Sequence, residues 1–402
     1  MRKFSIIITL LLIATTVSAA GNYVFPPYQA DSLMGRFSYS AAVSGIGECG
    51  VTNVDPYSFY YNPGSVGLLA DEQLISIGFN PQKAHSPSRY YDFTNPELTF
   101  YSIAFSIKSF QSSLGRWSFG AAYYIDDIKS TDVILHWLYA PSNAGDTLKL
   151  STDNFVFGFG LKGKVEFGAG FTLRKIKSNQ IDTDFGDNWS YNFGFMLRKK
   201  FYLNKSEKIE HTLTPALGVV WKNYGDPYLR SVDIYGDYVY TQKLDPISTR
   251  YLGGSIKYRY SRDNLGIIEV KAALEYERRL KTAYYFAYDY NGWLDYVYKM
   301  PLESTPKLGI EAGFVESLYL RYGKIHEEKY GFKVYTWGFS LKTDGLFKRL
   351  KSDEGLAGIL KRLSVEFAVA GYYNNEDVND FYNPYYINSD HDRIYSLSIS
   401  FR

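Results

Sequence analysis

The chain has 402 residues, with 44 Lys and Arg against 42 Asp and Glu, a balance that offers no general field for nucleic acid. One cysteine excludes an internal disulfide. The unusual feature is 39 Tyr, 27 Phe and 6 Trp at a mean hydropathy of only −0.24, which excludes a bundle of long apolar helices and suits strands in which every second residue meets lipid.

Residues 1–20 read as an export signal. Arg2 and Lys3 precede the short apolar run Ile6 to Ile13, and Val17-Ser18-Ala19-Ala20 supplies small residues for cleavage. The run is shorter than the ~20 residues that a spanning helix needs. Its removal takes away two of the 44 basic residues and none of the 42 acidic ones, leaving a neutral chain. Cys49 lacks the Leu-x-x that would mark a lipidation site.

Residues 21–73 form an extension ahead of a barrel spanning 74–402. The stretch Ala42 to Gly50 is built of small residues, and Asn62-Pro63-Gly64 is a tight-turn signal. A segment this small can pack inside a barrel as a hatch or plug. Gly45, Gly47 and Gly50 have the spacing of a dinucleotide-binding turn, but no βαβ pattern surrounds them.

From residue 74 onward the sequence alternates with period two. Val165, Phe167, Ala169, Phe171 and Leu173 alternate with Glu166, Gly168, Gly170, Thr172 and Arg174. Ile268, Val270, Ala272, Leu274 and Tyr276 alternate with Glu269, Lys271, Ala273, Glu275 and Glu277. Leu363, Val365, Phe367 and Val369 form one face of another strand. The last strand places Tyr395, Leu397, Ile399 and Phe401 on one face and three serines on the other.

The alternation predicts strands at 74–79, 98–108, 116–125, 154–162, 165–176, 189–199, 212–222, 250–260, 266–280, 306–314, 316–323, 332–341, 363–372 and 393–402. A soluble sandwich also alternates. Strand lengths near the ~9–11 residues that cross a bilayer, small residues on the charged face and aromatics at strand ends favour a membrane barrel. The fold class is therefore all-β, a transmembrane antiparallel barrel of about fourteen strands with an N-terminal hatch segment. An even number closes the ring with both termini on one side.

Long outer loops then alternate with short inner turns, among them 109–115, 163–164, 200–211, 261–265 and 315. The inner connection 342–362 is longer and reads as a basic amphipathic helix, a solvated turn or a contact for anionic headgroups or a partner. Pro215 removes a ladder donor inside its strand and marks a kink, a bulge or a wrong boundary. Glu166, Arg174, Arg198, Lys257, Arg259, Glu269, Lys271, Glu275, Lys307, Glu311, Arg321, Lys333 and Glu366 are expected in the lumen. Their mixed signs suit a salt-bridged, plugged interior better than an ion-selective pore.

No catalytic group is expected. His85, His136, His211, His326 and His391 have no metal-ligand spacing, and no nucleophile elbow or phosphate loop is present. Ser389, Asp390, His391 and Asp392 are consecutive on the last loop, where neighbours in sequence are not aimed at one substrate. No cofactor and no metal are expected.

The stretch Asp55-Pro56 to Tyr61-Asn62-Pro63-Gly64-Ser65-Val66-Gly67-Leu68 resembles the Asp-Pro-x-x-x-x-Tyr-Asn-Pro-Ala-Gly-Leu hallmark of FadL-like outer-membrane proteins. Gly64 stands where that motif has Ala. Leu308-Gly309-Ile310-Glu311 and Leu318-Tyr319-Leu320-Arg321-Tyr322-Gly323 are similar to paired late strands of PorV/PorQ-like type IX secretion barrels. The strand holding Tyr395, Leu397, Ile399 and Phe401 resembles the signal that barrel-assembly machinery reads, with Phe401 penultimate. The resemblance implies fourteen strands, an outer-membrane location in a Gram-negative-type bacterium and a lumenal hatch marked by Asp55, Asn62, Pro63 and Gly64.

Two functions follow as expectations. One is passive uptake or binding of hydrophobic small molecules, captured by Tyr235, Tyr238, Tyr240, Tyr285, Phe286, Tyr288, Tyr290 and Trp293 on outer loops 223–249 and 281–305. The other is a secretion-accessory barrel that binds exported protein on the same loops. Expected partners are outer-membrane lipids, the assembly machinery and one of these cargos, with the barrel a monomer and no nucleic acid bound.

Overall fold

The computed structural model describes residues 38–69, 74–79, 84–85, 97–130, 148–178, 189–225, 228–233, 239–244, 248–263, 265–280, 284–288, 294–299, 304–327, 332–350, 354–374 and 393–401. The export signal and the 389–392 cluster lie outside these residues.

Sixteen strands join one sheet, and two of them, Ala84–His85 and Phe201–Lys205, are side pieces; the other fourteen form a closed ring. They are β1 Ile75–Phe79, β2 Glu97–Ser112, β3 Gly115–Ser130, β4 Leu148–Lys162, β5 Glu166–Ser178, β6 Trp189–Arg198 and β7 Ile209–Gly225. The second half is β8 Thr249–Arg262, β9 Leu265–Arg279, β10 Ser304–Phe314, β11 Leu318–Glu327, β12 Phe332–Lys342, β13 Leu363–Asn374 and β14 Arg393–Phe401. Every neighbour is antiparallel. The seam closes on β1, with Ile75 opposite Phe401 of β14 on one edge and Phe105 of β2 on the other.

Each strand splits by parity. In β14, Ser396, Ser398 and Ser400 are buried, while Tyr395, Leu397, Ile399 and Phe401 face outward. Phe105, Phe157, Phe195, Leu217, Leu308 and Leu320 are among the large apolar side chains left exposed on the outer wall. An apolar girdle on the outside of a closed barrel is a lipid-facing surface. No described helix is long and apolar enough to cross a membrane; the closed ring with its apolar outer wall is a membrane-spanning barrel that crosses by strands.

The fourteen expected strands are all present, several longer than alternation indicated. The inner connection 200–211 is corrected most. After Lys199 and Lys200 the chain resumes pairing with β7, Phe201 opposite Leu213 and Lys205 opposite Glu210. The hairpin therefore continues past the barrel body. Pro215 sits at the gap: its carbonyl accepts from Lys199 N at 3.1 Å, and the ladder between Arg198 and Phe201 is interrupted beside it. The missing proline donor thus faces a break instead of an intact ladder. On its other edge Pro215 keeps its place opposite Ile256.

Lys333 is also corrected. Val334, Thr336 and Ser340 are the buried residues of β12, so Lys333 has outward parity and is exposed. It stands near the strand start, where a long amine reaches headgroup level. The outer connections also contain β-ribbons, Tyr228–Asp233 with Val239–Leu244 and Tyr284–Tyr288 with Leu294–Lys299.

The β10–β11 turn stores strain. In the three-residue connection 315–317, Val315 and Glu316 have φ of 55° and 52°, successive left-handed positions that favour Asn and Gly. A β-branched residue there is an outlier. Glu316 holds the turn: its carboxylate pairs with Arg259 and, at 2.6 Å, with Lys348, and accepts from Gly266 N at 3.2 Å. Burial opposes its charge, but Arg259 and Lys348 hold the carboxyl below the usual range. Relieving the strain while keeping Glu316 should stabilise the barrel. Val315→Asn is expected to raise the unfolding free energy in urea by about 1 kcal/mol; an unchanged or lower midpoint would show that the turn carries no strain.

Candidate functional site

Residues 38–69 lie inside the ring. They include α1 Ala41–Gly45, α2 Ser58–Tyr61 and a 3-10 turn Pro63–Ser65. The segment touches the wall all the way round. Ala41 N donates to Ser396 Oγ at 3.0 Å, Gly47 N to Thr336 Oγ1 at 3.0 Å and Val51 N to Glu275 Oε2 at 3.0 Å. Across the lumen, Ser106 Oγ donates to Val66 O at 3.0 Å and Ser118 Oγ to Gly67 O at 2.6 Å. Tyr57 Oη reaches the seam, 2.7 Å from Leu397 O and 3.0 Å from Phe79 O.

The turn is built around Asn62, which is fully buried. Its Nδ2 donates to Val51 O at 2.9 Å and Phe195 O at 3.0 Å, and its Oδ1 accepts from Gly64 N at 2.9 Å. One amide thus caps the turn, ties two parts of the segment together and docks them on β6. Pro63 opens the turn at a position with no donor to lose. Gly64 lies under β5 and β6, where a Cβ would come 2.8 Å from Gly194 O and 3.0 Å from Gly168 O. The departure from Ala in the motif therefore has a local reason. The Gly45-x-Gly47-x-x-Gly50 spacing serves the same close approach: a Cβ at Gly45 would come 2.8 Å from Gly338 Cα, and at Gly47 2.5 Å from Leu308 O. Asp55 starts the preceding bend, accepting from Tyr57 N at 2.9 Å. Burial pushes its carboxyl up to about 6, with the Tyr57 N–H pulling the other way.

On its outer side the segment presents an aromatic floor. Tyr39, Phe59, Tyr60, Phe100 and Tyr124 pack with ring centroids between 5.0 and 6.0 Å apart. Beside them stands a polar wall. Arg174, fully buried, donates from Nε to Asn154 Oδ1 and from Nη1 to Asn223 Oδ1, each at 2.8 Å. Asn154 Nδ2 donates to Asp126 Oδ1 at 2.8 Å, and Thr152 donates to the same oxygen.

A β-bulge brings part of this wall together. The β6–β7 register shifts between Tyr191 and Phe193, and Asn223 adopts φ 59°. Its N–H, displaced from the ladder, donates to Asn192 Oδ1 at 2.9 Å. The extra residue lets Lys222 and Asn223, consecutive in sequence, both serve the lumen. Lys222 is 3% exposed, and its Nζ sits 4.7 Å from the Tyr60 ring centroid, 4.9 Å from Tyr251 and 5.9 Å from Tyr61. Ammonium over aromatic faces stabilises a charge that burial would otherwise oppose.

Of the lumen residues expected from sequence, the ion pairs Arg198–Glu166, Arg259–Glu269 and Arg321–Glu311 form, while Lys307 pairs with Glu277, which is outside that set. Lys222, Asn223, Tyr60, Phe100, Tyr124 and Tyr251 were not singled out, although the parity of 212–222 already places Lys222 inward. Tyr240 lies in one outer ribbon, and Tyr285, Phe286 and Tyr288 in the other. Tyr235, Tyr238, Tyr290 and Trp293 lie outside the described residues. Among the described residues no group of His, Cys, Asp and Glu is placed to hold a metal ion.

No protein-family model and no curated protein matches the sequence. Among solved structures the chain is similar to a FadL homologue of Pseudomonas aeruginosa, at 10% identity over 90% of this chain and 97% of that one, with a TM-score of 0.42. It is similar to the deltaS2 mutant of the TodX monoaromatic hydrocarbon channel, at 12% identity over 91% and 97%, with a TM-score of 0.43. It is also similar to the Pseudomonas putida toluene transporter TodX, at 10% identity over 90% and 95%, with a TM-score of 0.38. The likeness is one of architecture, and the activities in those names remain with those proteins.

Two outcomes follow for the lumenal segment. Asn62→Ala removes three buried hydrogen bonds, to Val51 O, Phe195 O and Gly64 N, and should lower unfolding free energy by about 2–4 kcal/mol, read from urea titrations of the refolded barrel. A loss under 0.5 kcal/mol would mean that water replaces the amide. Asp55→Asn keeps the acceptor for Tyr57 N but cannot ionise. A carboxyl raised from 3.8 to about 6 on folding loses its stabilisation as pH climbs from the first value to the second, so the variant should gain on the wild type between about pH 4 and pH 6, by up to about 3 kcal/mol, and no further above about pH 7. A pH-independent difference would show that Asp55 titrates normally.

Proposed function

We propose that this FadL-like outer-membrane barrel takes up hydrophobic small molecules passively, binding them at the outer side of the lumenal segment. The observation that carries the reading is the aromatic floor of Tyr39, Phe59, Tyr60, Phe100 and Tyr124, bordered by Lys222, Arg174 and Asn223. Apolar rings with polar tips suit a ligand that must leave water yet be oriented. The rings are packed against one another, so a ligand enters by displacing them. Asp55, Asn62, Pro63 and Gly64 then act as the hatch, because their turn holds the floor that has to yield. The outer ribbons bearing Tyr240, Tyr285, Phe286 and Tyr288, with Tyr235, Tyr238, Tyr290 and Trp293 of the same loops, are the first capture surface. No step in this reading needs covalent chemistry.

The test is equilibrium binding of oleate and of toluene to the purified barrel, with uptake into proteoliposomes. Tyr60→Ala combined with Tyr124→Ala should weaken binding at least tenfold, while the folded barrel keeps its heat-modifiable gel mobility. Unchanged affinity and uptake would place the ligand elsewhere and remove the reading. The accessory-barrel alternative rests on the late-strand resemblance at Leu308–Phe314 and Leu318–Gly323. It would gain if barrels isolated from native membrane carried exported protein in stoichiometric amount and no ligand.

A further inference from the structure

The β12–β13 connection is unlike the other short-turn connections of the described chain. It holds α3 Asp344–Phe347 and α4 Gly355–Arg362. The excursion is clamped to the rim. Thr343 N donates to Val365 O and Val365 N to Thr343 Oγ1, both at 3.0 Å, and Lys348 bonds Glu316 at 2.6 Å. Yet α4 buries none of its residues in the protein. Leu356 is 71% exposed and Ile359 57%. Helical spacing puts Leu356, Ile359, Leu360 and Leu363 on one stripe.

Leu363 is also the first residue of β13, whose outward residues Leu363, Val365 and Phe367 belong to the lipid-facing wall. The apolar stripe of α4 is therefore continuous with the lipid belt. Charge follows the same side. From 346 to 363 the sequence carries Lys348, Arg349, Lys351, Lys361 and Arg362 against Asp353 and Glu354. Lys348 is committed to Glu316, while Arg349 and Arg362 have no ion-pair partner among the described residues.

Another sector of this rim has similar chemistry. On the β6–β7 hairpin, Phe201 and Leu203 are 41% and 60% exposed, and Lys199 Nζ lies 4.7 Å from the Phe201 ring. A clamped helix with an apolar stripe joined to the lipid belt and basic residues at its end matches a helix lying in the headgroup plane.

We propose that α4 lies in the leaflet at the short-turn end of the barrel and binds anionic phospholipid headgroups through Arg349 and Arg362, with Leu356 and Ile359 inserted among the acyl chains. The occupant is lipid because the stripe runs into a surface already facing lipid, through Leu363, Val365 and Phe367 of β13. This inference is independent of the cargo.

The experiment uses the full barrel with a nitroxide at Ile359→Cys, Cys49 being buried. The barrel is folded into vesicles of phosphatidylcholine alone or with three parts in ten phosphatidylglycerol. Collision with oxygen against a water-soluble nickel chelate reports depth. With phosphatidylglycerol the label should be oxygen-accessible and shielded from nickel. Arg349→Gln with Arg362→Gln should shift the membrane-to-water ratio about 30-fold towards water, at about fivefold per basic residue near an anionic surface. Heat-modifiable mobility confirms that the variant is folded. Nickel accessibility in both vesicles would overturn the proposal, as would equal embedding in both with no effect of the double substitution. Shielding that appears only when periplasmic protein is added would assign the surface to a protein partner instead.

Discussion

Backbone-to-backbone contact between the barrel wall and the segment inside it is the constraint on which the structure depends. Fourteen strands leave a lumen too wide for wall side chains alone to fill and too narrow for a second layer of large ones. The chain fills it with residues 38–69, and the wall beside them must be bare. Gly168 faces Gly64 O, Gly309 faces Ile46 O, Gly323 faces Gly47 N and Gly120 faces Val66 O, each so closely that a Cβ would have to displace backbone. Where the wall is not glycine it often carries a hydroxyl that bonds the segment, as at Ser106, Ser118, Thr336 and Ser396. Irregular backbone at membrane depth is tolerated only when its polar groups are met from within the protein, and these hydroxyls meet part of that demand.

Electrostatics then divides the lumen. Around the inner half, charges are matched locally: Arg321 between Glu311 and Glu366, and Arg259 between Glu269 and Glu316. A pairing of this kind favours a sealed, ordered interior over a selective ion path. At the outer side the matching is looser. Arg174 reaches Asp126 through Asn154 instead of directly, and Lys222 is held by rings. Beside Lys222, across the Tyr251 ring, Lys307 keeps direct partners in Glu277 and Glu48, so the loose matching is confined to the Arg174–Asp126 sector and Lys222.

Much of the fold was legible because the barrel rewards one rule. Parity exposes itself in Ser396-Leu397-Ser398-Ile399, and a slip of one residue would turn every serine into lipid. Lys333 departs from the expected lumen set because its charge suggests the interior while the burial of neighbouring Val334 fixes the strand's face the other way. The Phe201–Lys205 extension was hidden because its residues have no buried face to alternate against. The bulge at Asn223 was illegible for a different reason. Nothing local demands it, and only the cross-strand amide of Asn192 explains how its displaced N–H is satisfied. The aromatic floor was obscured by abundance, since with 39 tyrosines in the chain Tyr60 and Tyr124 do not stand out until the strands are closed.

Hydrogen–deuterium exchange of the folded barrel tests the central claim most directly. If residues 41–67 are seated on bare wall, their amides should exchange as slowly as those of β5 and β6, and Gly168→Val, which fills the seat of Gly64, should speed exchange in 41–67 while leaving the strands protected. Exchange of 41–67 within seconds in the wild type, with the strands still protected, would contradict the account.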